Sequence, residues 1–288
     1  MAADSPAALA VLESWLSQRL SGDALAWYEA KRTTLQKDHD FYLAFALATR
    51  KLGKADLAPT EEELKSANAI CPGWNAWGWT VDQTARIALL LSSPEDAFVS
   101  RLDKLCATGD IGEQVTLYQA LSLYPNPASL TNRAAEGLRT NIVPVFQAVA
   151  HDNPFPKTYF DQAAWNQMVL KALFIGSSLH PIQGLDERAN EALASTMIDY
   201  AHERWAAHRL VTPELWRCVG PFINEASMDD LRRAWESDEP MAREAVGLAL
   251  AASDHKAAQT LLSSDPEIKD GIDSGAISWS LIHESLKT

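Results

Sequence analysis

PMAREAVGLALAA, residues 240–252, carries its apolar side chains at helical spacing: Met241, Ala245, Leu248, Ala249 and Ala252 fall on one face of a 3.6-residue period. The same grammar runs outward from it in both directions. Ala and Leu are abundant, and the alternating β-branched pattern that marks a half-buried strand is missing. Helix starts recur: Thr60 with Glu63 and Thr80 with Gln83 have capping-box spacing, while Ser93-Pro94 and Thr212-Pro213 set a cap before a proline. The pattern predicts about sixteen helices, from 6–20 through 157–175, 187–208 and 239–252 to 277–286. The fold expected is all-α, either an irregular helical array or an α-solenoid of antiparallel helix pairs of HEAT/armadillo type, the paired look being strongest from residue 213 onward.

Composition narrows the setting. At 288 residues with 47% apolar content, the chain can bury a continuous core. No linker-like tract divides it, so a single domain 1–288 is expected: N-terminal helices 1–125, a motif-bearing centre 126–222 and repeat-like helices 223–288, with Pro125-Asn126-Pro127 as a seam. A net charge of −13 repels polyanions and argues against nucleic acid as a partner. Asp4 and Glu13 stand where an export signal needs basic and apolar residues, and no window reaches the roughly 18 apolar residues of a membrane span. Cys71, Cys106 and Cys218 are odd in number and lack metal-type pairing. Together these features predict a cytoplasmic chain with no transmembrane segment and no cofactor.

Charge is unevenly distributed. Ser129 to Arg217 holds eight Lys/Arg and nine Asp/Glu, so the remaining 17 and 29 carry nearly all the acidity. That near-neutral centre also holds His151, His180, His202 and His208, together with Trp165, Trp205 and Trp216. In AAWNQMVLKALFI, 163–175, the polar residues Asn166, Gln167 and Lys171 interrupt an apolar helix, either as a solvent window or as the lining of a polar cavity. In MIDYAHERWAAHR, 197–209, Met197, Ala201 and Trp205 mark the apolar face and leave Asp199, His202 and Glu203 opposite. Two carboxylates four apart call for a cation between them, which Arg188, Arg204, Lys171 or a metal would supply. Asp199 with His202 is a two-ligand metal fragment or, more simply, a solvated face. The loop HDNPFPKTYF, 151–160, is stiffened by two prolines, with Asn153 as its turn former. HPIQGLDERAN, 180–190, brings Asp186 as the expected cap of the next helix and leaves Arg188 and Asn190 free for a ligand. No phosphate loop, GxSxG elbow or paired CxxC is present, and AHERW lacks the second histidine of HExxH.

The segments EGLRTNI (136–142), NPFPKTYF (153–160), AAWNQMVLKALF (163–174), IQGLDERAN (182–190), DYAHERWAAHR (199–209) and PELWRCVGPF (213–222) resemble, in this order, the signature block of the EboA family. His208 stands where that family is expected to prefer glycine. The resemblance implies a bacterial secondary-metabolite gene cluster as context, with partners encoded beside a prenyltransferase, a hydrolase and sugar-processing enzymes. It carries over no catalytic residue. The expected role is therefore a component that binds a small polar intermediate or scaffolds other proteins of the cluster. The alternative is an unfamiliar enzyme on a sugar- or cyclitol-like substrate, with His202 or Asp199 as acid/base and Lys171 as electrophilic stabiliser. Both roles assume that Asn153, Trp165, Asn166, Gln167, Lys171, Asp186, Arg188, Asn190, Asp199, His202, Arg204 and Trp205 meet around one polar hollow.

Overall fold

A computed structural model describes residues 4–237 and 239–287. Among them lie eighteen α-helices and three short 3₁₀ turns, with one isolated antiparallel bridge, Asp56 to Thr80, and no strand. The fold is all-α, as the periodicity dictates. Backbone contacts divide the chain into two compact units, Met1–Phe160 and Asp161–Thr288.

The first unit contains α1 (Ser5–Arg19), α2 (Gly22–Arg32), α3 (Asp38–Leu52), α4 (Glu61–Ile70), α5 (Val81–Leu91), α6 (Glu95–Thr108), α7 (Ile111–Gln119), α8 (Thr131–Arg139), α9 (Val143–Ala150) and α10 (Pro154–Tyr159). Helix α5 is its axis, packed on α1, α3 and α7, so that even Asp82, Thr84 and Arg86 are buried. Polar groups at that depth need partners. Arg86 finds the Phe45 carbonyl at 3.1 Å, Glu113 at 3.3 Å and Asp82 at 3.6 Å, while Asp82 also accepts from the hydroxyls of Thr49 and Thr80. The two expected capping boxes form as their spacing requires. Thr60 accepts from the Glu63 N–H at 3.2 Å and Glu63 accepts from the Thr60 N–H at 2.8 Å, and Gln83 accepts from the Thr80 N–H at 2.9 Å. The other two starts differ: α6 has Pro94, and the later helix Leu215–Val219 has Glu214, at the N-cap in place of the expected Ser93 and Thr212.

The second unit contains α11 (Gln162–Phe174), α12 (Glu191–Ala206), α13 (Leu215–Val219), α14 (Met228–Trp235), α15 (Pro240–Ala251), α16 (Lys256–Ser263), α17 (Pro266–Asp273) and α18 (Trp279–Leu286). The helix formed by residues 240–251 is its hub, since α15 packs on α13, α14, α16, α17 and α18. Ala245, Val246, Gly247, Ala249 and Leu250 are its buried face. The 3₁₀ turn after α13 reaches α15 through Gly220, whose added Cβ would stand 2.8 Å from the Ala249 carbonyl oxygen and 2.9 Å from its Cα. A side chain there meets backbone, so only glycine permits the approach.

Three predicted boundaries differ. The single helix expected over 157–175 is two, because Asp161 caps a new start by accepting from the Ala164 N–H at 2.8 Å. Helix α12 begins after Asn190, whose Oδ1 accepts from the Leu193 N–H at 3.0 Å; Asp186, expected as that cap, is exposed and turned to Arg217 instead. Helix α17, unpredicted, starts from Asp265 ahead of Pro266.

Candidate functional site

A hollow of about 660 Å³ lies wholly within the second unit. Its parts come from the last turn of α11, the C-terminal half of α12, the segment after α12, the α14–α15 corner and the end of α18. The floor is aromatic. Trp205 and the fully buried Trp216 sit with ring centroids 6.1 Å apart and planes 32° from parallel. Arg233 lies over Trp205 with its guanidinium carbon 4.3 Å from the ring centroid, a cation–π contact. Arg204 and Arg209 line the same space, as do Tyr200 and Glu239.

The wall at Arg204 is fixed by the way α12 stops. The His208 N–H donates to the Trp205 carbonyl at 3.0 Å and the Arg209 N–H to the Arg204 carbonyl at 2.8 Å, the bond pair of a Schellman motif. That motif puts its penultimate residue in the left-handed region, and His208 has φ +53°. This is the backbone reason for glycine to be favoured there. Arg204 Nε then donates to the Leu210 carbonyl at 2.9 Å and pins the segment that leads to α13. The mouth is apolar and open: Phe174 is 76% exposed, Leu210 73% and Leu286 42%.

Within the second unit, the residues singled out from sequence border more than one hollow. Arg204 and Trp205 line the large hollow. Asn153 belongs to the first unit, where it is buried and donates to the carbonyls of Tyr118 and Ala148 at 3.0 and 2.9 Å while capping α10 through the Phe155 N–H. Asn166 and Asn190 bind each other through both amide groups at 2.9 and 3.1 Å, and Gln162 adds a third amide to Asn190 Oδ1 at 3.0 Å. They tie α11 to the start of α12. Arg188 lies over the buried Trp165 ring at 4.6 Å, and burial lowers its pKa against the opposing pull of Asp161. Gln167 is exposed, and Lys171 is half-buried with its pKa lowered by that burial. Asp186 forms a two-pronged pair with Arg217 at 2.7 and 2.6 Å.

Asp199 and His202 border a second, smaller hollow of about 280 Å³. His202 Nε2 lies 2.6 Å from an Asp230 oxygen, and no described group of three His, Cys, Asp or Glu side chains is arranged to hold a metal. The fragment gains no third donor.

Sequence reasoning missed a polar cluster on the other side of α13. The buried Glu214 carboxylate accepts from the backbone N–H of Leu179 and of His180, each at 2.9 Å, and from the Ser178 hydroxyl at 2.7 Å. Ser178 also meets His283 Nδ1 at 2.7 Å, and the His180 and His283 rings stack with centroids 4.7 Å apart. Arg217 is within 3.2 Å of His180 Nδ1. A guanidinium only donates, so His180 presents a bare Nδ1 and is neutral. Burial lowers the pKa of both imidazoles, with Arg217 adding to the effect at His180 and Lys287 at His283. His180 and Arg217 lie inside the segments 180–190 and 213–222, but His283 comes from α18, far along the chain from both, and no local spacing links it to them.

A family model described as metabolite traffic protein EboA matches residues 8–220, which is 213 of the 288 residues. The chain belongs to the EboA family. No curated protein and no solved structure matches it. That EboA description supports a role in a metabolite pathway. The EboA match covers the floor of the hollow, Arg204, Trp205, Arg209 and Trp216, and ends before Arg233 and Leu286 close it. Among the described residues, no helix of this EboA chain is long and apolar enough to cross a membrane.

Proposed function

We propose that this EboA-family chain binds a small metabolite of its pathway in the hollow floored by Trp205 and Trp216, and hands it on without changing it. The single supporting observation is the make-up of that hollow. Its volume, about 660 Å³, is within the range of small-molecule sites, and its lining is largely apolar and aromatic with a few polar groups. Among the described lining residues there is no His, Cys or Lys, and Glu239 is the lone carboxylate. General acid–base or nucleophilic chemistry needs a paired set that this lining lacks. The catalytic alternative relied on Lys171, Asp199 and His202, none of which borders this space.

Partner docking has an observation of its own. Phe174, Leu210 and Leu286 expose large apolar side chains together at the mouth, which suits a second protein of the same pathway that covers the opening while the metabolite passes. Cytoplasmic residence is part of this proposal.

The test is native mass spectrometry of the purified full chain against a polar-metabolite extract of the source cells, with recovery and identification of what is bound. The expected result is a one-to-one adduct, unchanged on release, that disappears in Ala242→Trp, which fills the hollow. An adduct that survives Ala242→Trp, or one that leaves chemically altered, overturns the proposal.

A further inference from the structure

We infer that the ligand of this hollow is an organic oxyanion, a carboxylate or phosphate carried on a flat apolar ring. The inference rests on the binding reading above and names the chemistry of what is bound. Its first support is a charge reversal. The chain as a whole carries 38 Asp/Glu against 25 Lys/Arg, yet the hollow is lined by Arg204, Arg209 and Arg233 with Glu239 as the only described carboxylate.

The second support is how those arginines are used. Elsewhere eight of the eleven arginines, Arg19, Arg32, Arg86, Arg101, Arg133, Arg217, Arg232 and Arg243, are taken up by acidic partners in ion pairs. Among the described residues, no carboxylate is within ion-pair distance of Arg204, Arg209 or Arg233. In a chain so rich in acid, three arginines around one hollow without such a partner mark a site where the counter-charge arrives with the ligand. Arginine suits that task, since its planar fork matches two oxygens of a carboxylate or phosphate at once.

The third support is geometric. Arg233 is held against the Trp205 ring, its guanidinium carbon 4.3 Å from the centroid, by a cation–π contact that leaves its N–H donors unspent on any described carboxylate. That contact also fixes the guanidinium in place, which limits the side-chain entropy lost when an anion binds. Trp205 and Trp216 set the second requirement, a planar or hydrocarbon body able to pack on indole. The repulsive field of the acidic shell does not exclude such a ligand, because a monoanion is screened beyond about 8 Å at physiological ionic strength and then meets the arginines at contact.

Four naphthalene probes of one shape test the inference by calorimetric titration of the full chain: 2-naphthoate, 2-naphthyl phosphate, 2-naphthamide and 2-naphthylmethylammonium. The anions should bind at least tenfold more tightly than the amide, with the ammonium weakest, and added salt should narrow the gap. The order of the two anions assigns carboxylate or phosphate. Arg233→Gln and Arg209→Gln should bring the anions down to the level of the amide while circular dichroism and melting stay unchanged, and Arg233→Lys should restore part of the preference. If the amide binds as tightly as the anions, the ligand class is wrong and the hollow is still a binding site. If none of the four binds, the binding reading itself fails.

Discussion

Replacing Asn190 with alanine removes more than a helix cap. Its Oδ1 takes three donors, the Leu193 N–H at 3.0 Å, Gln162 Nε2 at 3.0 Å and Asn166 Nδ2 at 3.1 Å, and its Nδ2 donates to Asn166 Oδ1 at 2.9 Å and to the Arg188 carbonyl at 3.1 Å. Loss of an N-cap costs about 1 kcal/mol. The reciprocal amide pair with the half-buried Asn166 adds roughly 1–2 kcal/mol, because its groups lose a protein partner and regain water only in part. The exposed Gln162 re-solvates and adds little. The second unit should therefore lose about 2–3 kcal/mol, which at a urea slope near 2 kcal/mol per molar moves its midpoint down by about 1 M or slightly more. Hydrogen exchange over residues 188–200 locates the loss, and the Leu193 amide should exchange fastest. Asn190→Ser, which keeps a capping oxygen but not the amide pair, should recover about 1 kcal/mol. An unchanged urea midpoint together with unchanged exchange at the start of α12 would show that the amides are spare, and the reasoning that removes Asn166 and Asn190 from the ligand site would collapse.

Two further outcomes are expected. The left-handed backbone at His208 (φ +53°) strains any residue with a Cβ, so His208→Gly should raise stability by about 0.5–1 kcal/mol, seen as a melting point higher by a few degrees at most; a lower melting point would mean that the imidazole makes a contact that matters. Because burial holds the pKa of His180 and His283 below 6.5, the folded state binds fewer protons than the unfolded chain between those lowered values and 6.5. Their stabilising arrangement is therefore complete above about pH 6.5 and is lost as pH falls through the lowered folded values, and the double variant His180→Gln/His283→Gln should flatten the melting curve between pH 7 and pH 5. An identical pH slope in that variant would assign the acid sensitivity to other groups.

How much could be read in advance follows the range of each interaction along the chain. The capping pairs Thr60/Glu63 and Thr80/Gln83 close within three residues, and the buried Met197 and Ala201 face of α12 repeats every four; local spacing exposes both. The break at Asp161 was also local, but the apolar rhythm on either side of Phe160 runs through it and hides the cap. Arg204 and Trp205 stood out because they share one helix. Their companions at the hollow, Arg233 and Leu286, come from α14 and α18, and only the packing around α15 brings them near. Polar residues in an apolar helix suggested a solvent window or a polar cavity at Asn166, and there the structure has an amide lock between two helices. Pattern alone does not separate these cases, since both need an amide in an apolar setting and differ in whether a second amide lies opposite.

The closeness of Gly220 to Ala249 carries a lesson for dissecting the molecule. The family-matched stretch stops at that glycine, and what lies against it is the backbone of α15 from the stretch beyond. Cutting the chain there would strip α13 of its neighbour, uncover Trp216 and take away the lid side of the hollow along with Arg233. The shared block supplies a stage and the following helices supply the clasp, so exchanging residues 221–288 between relatives should swap ligand preference while the aromatic base remains.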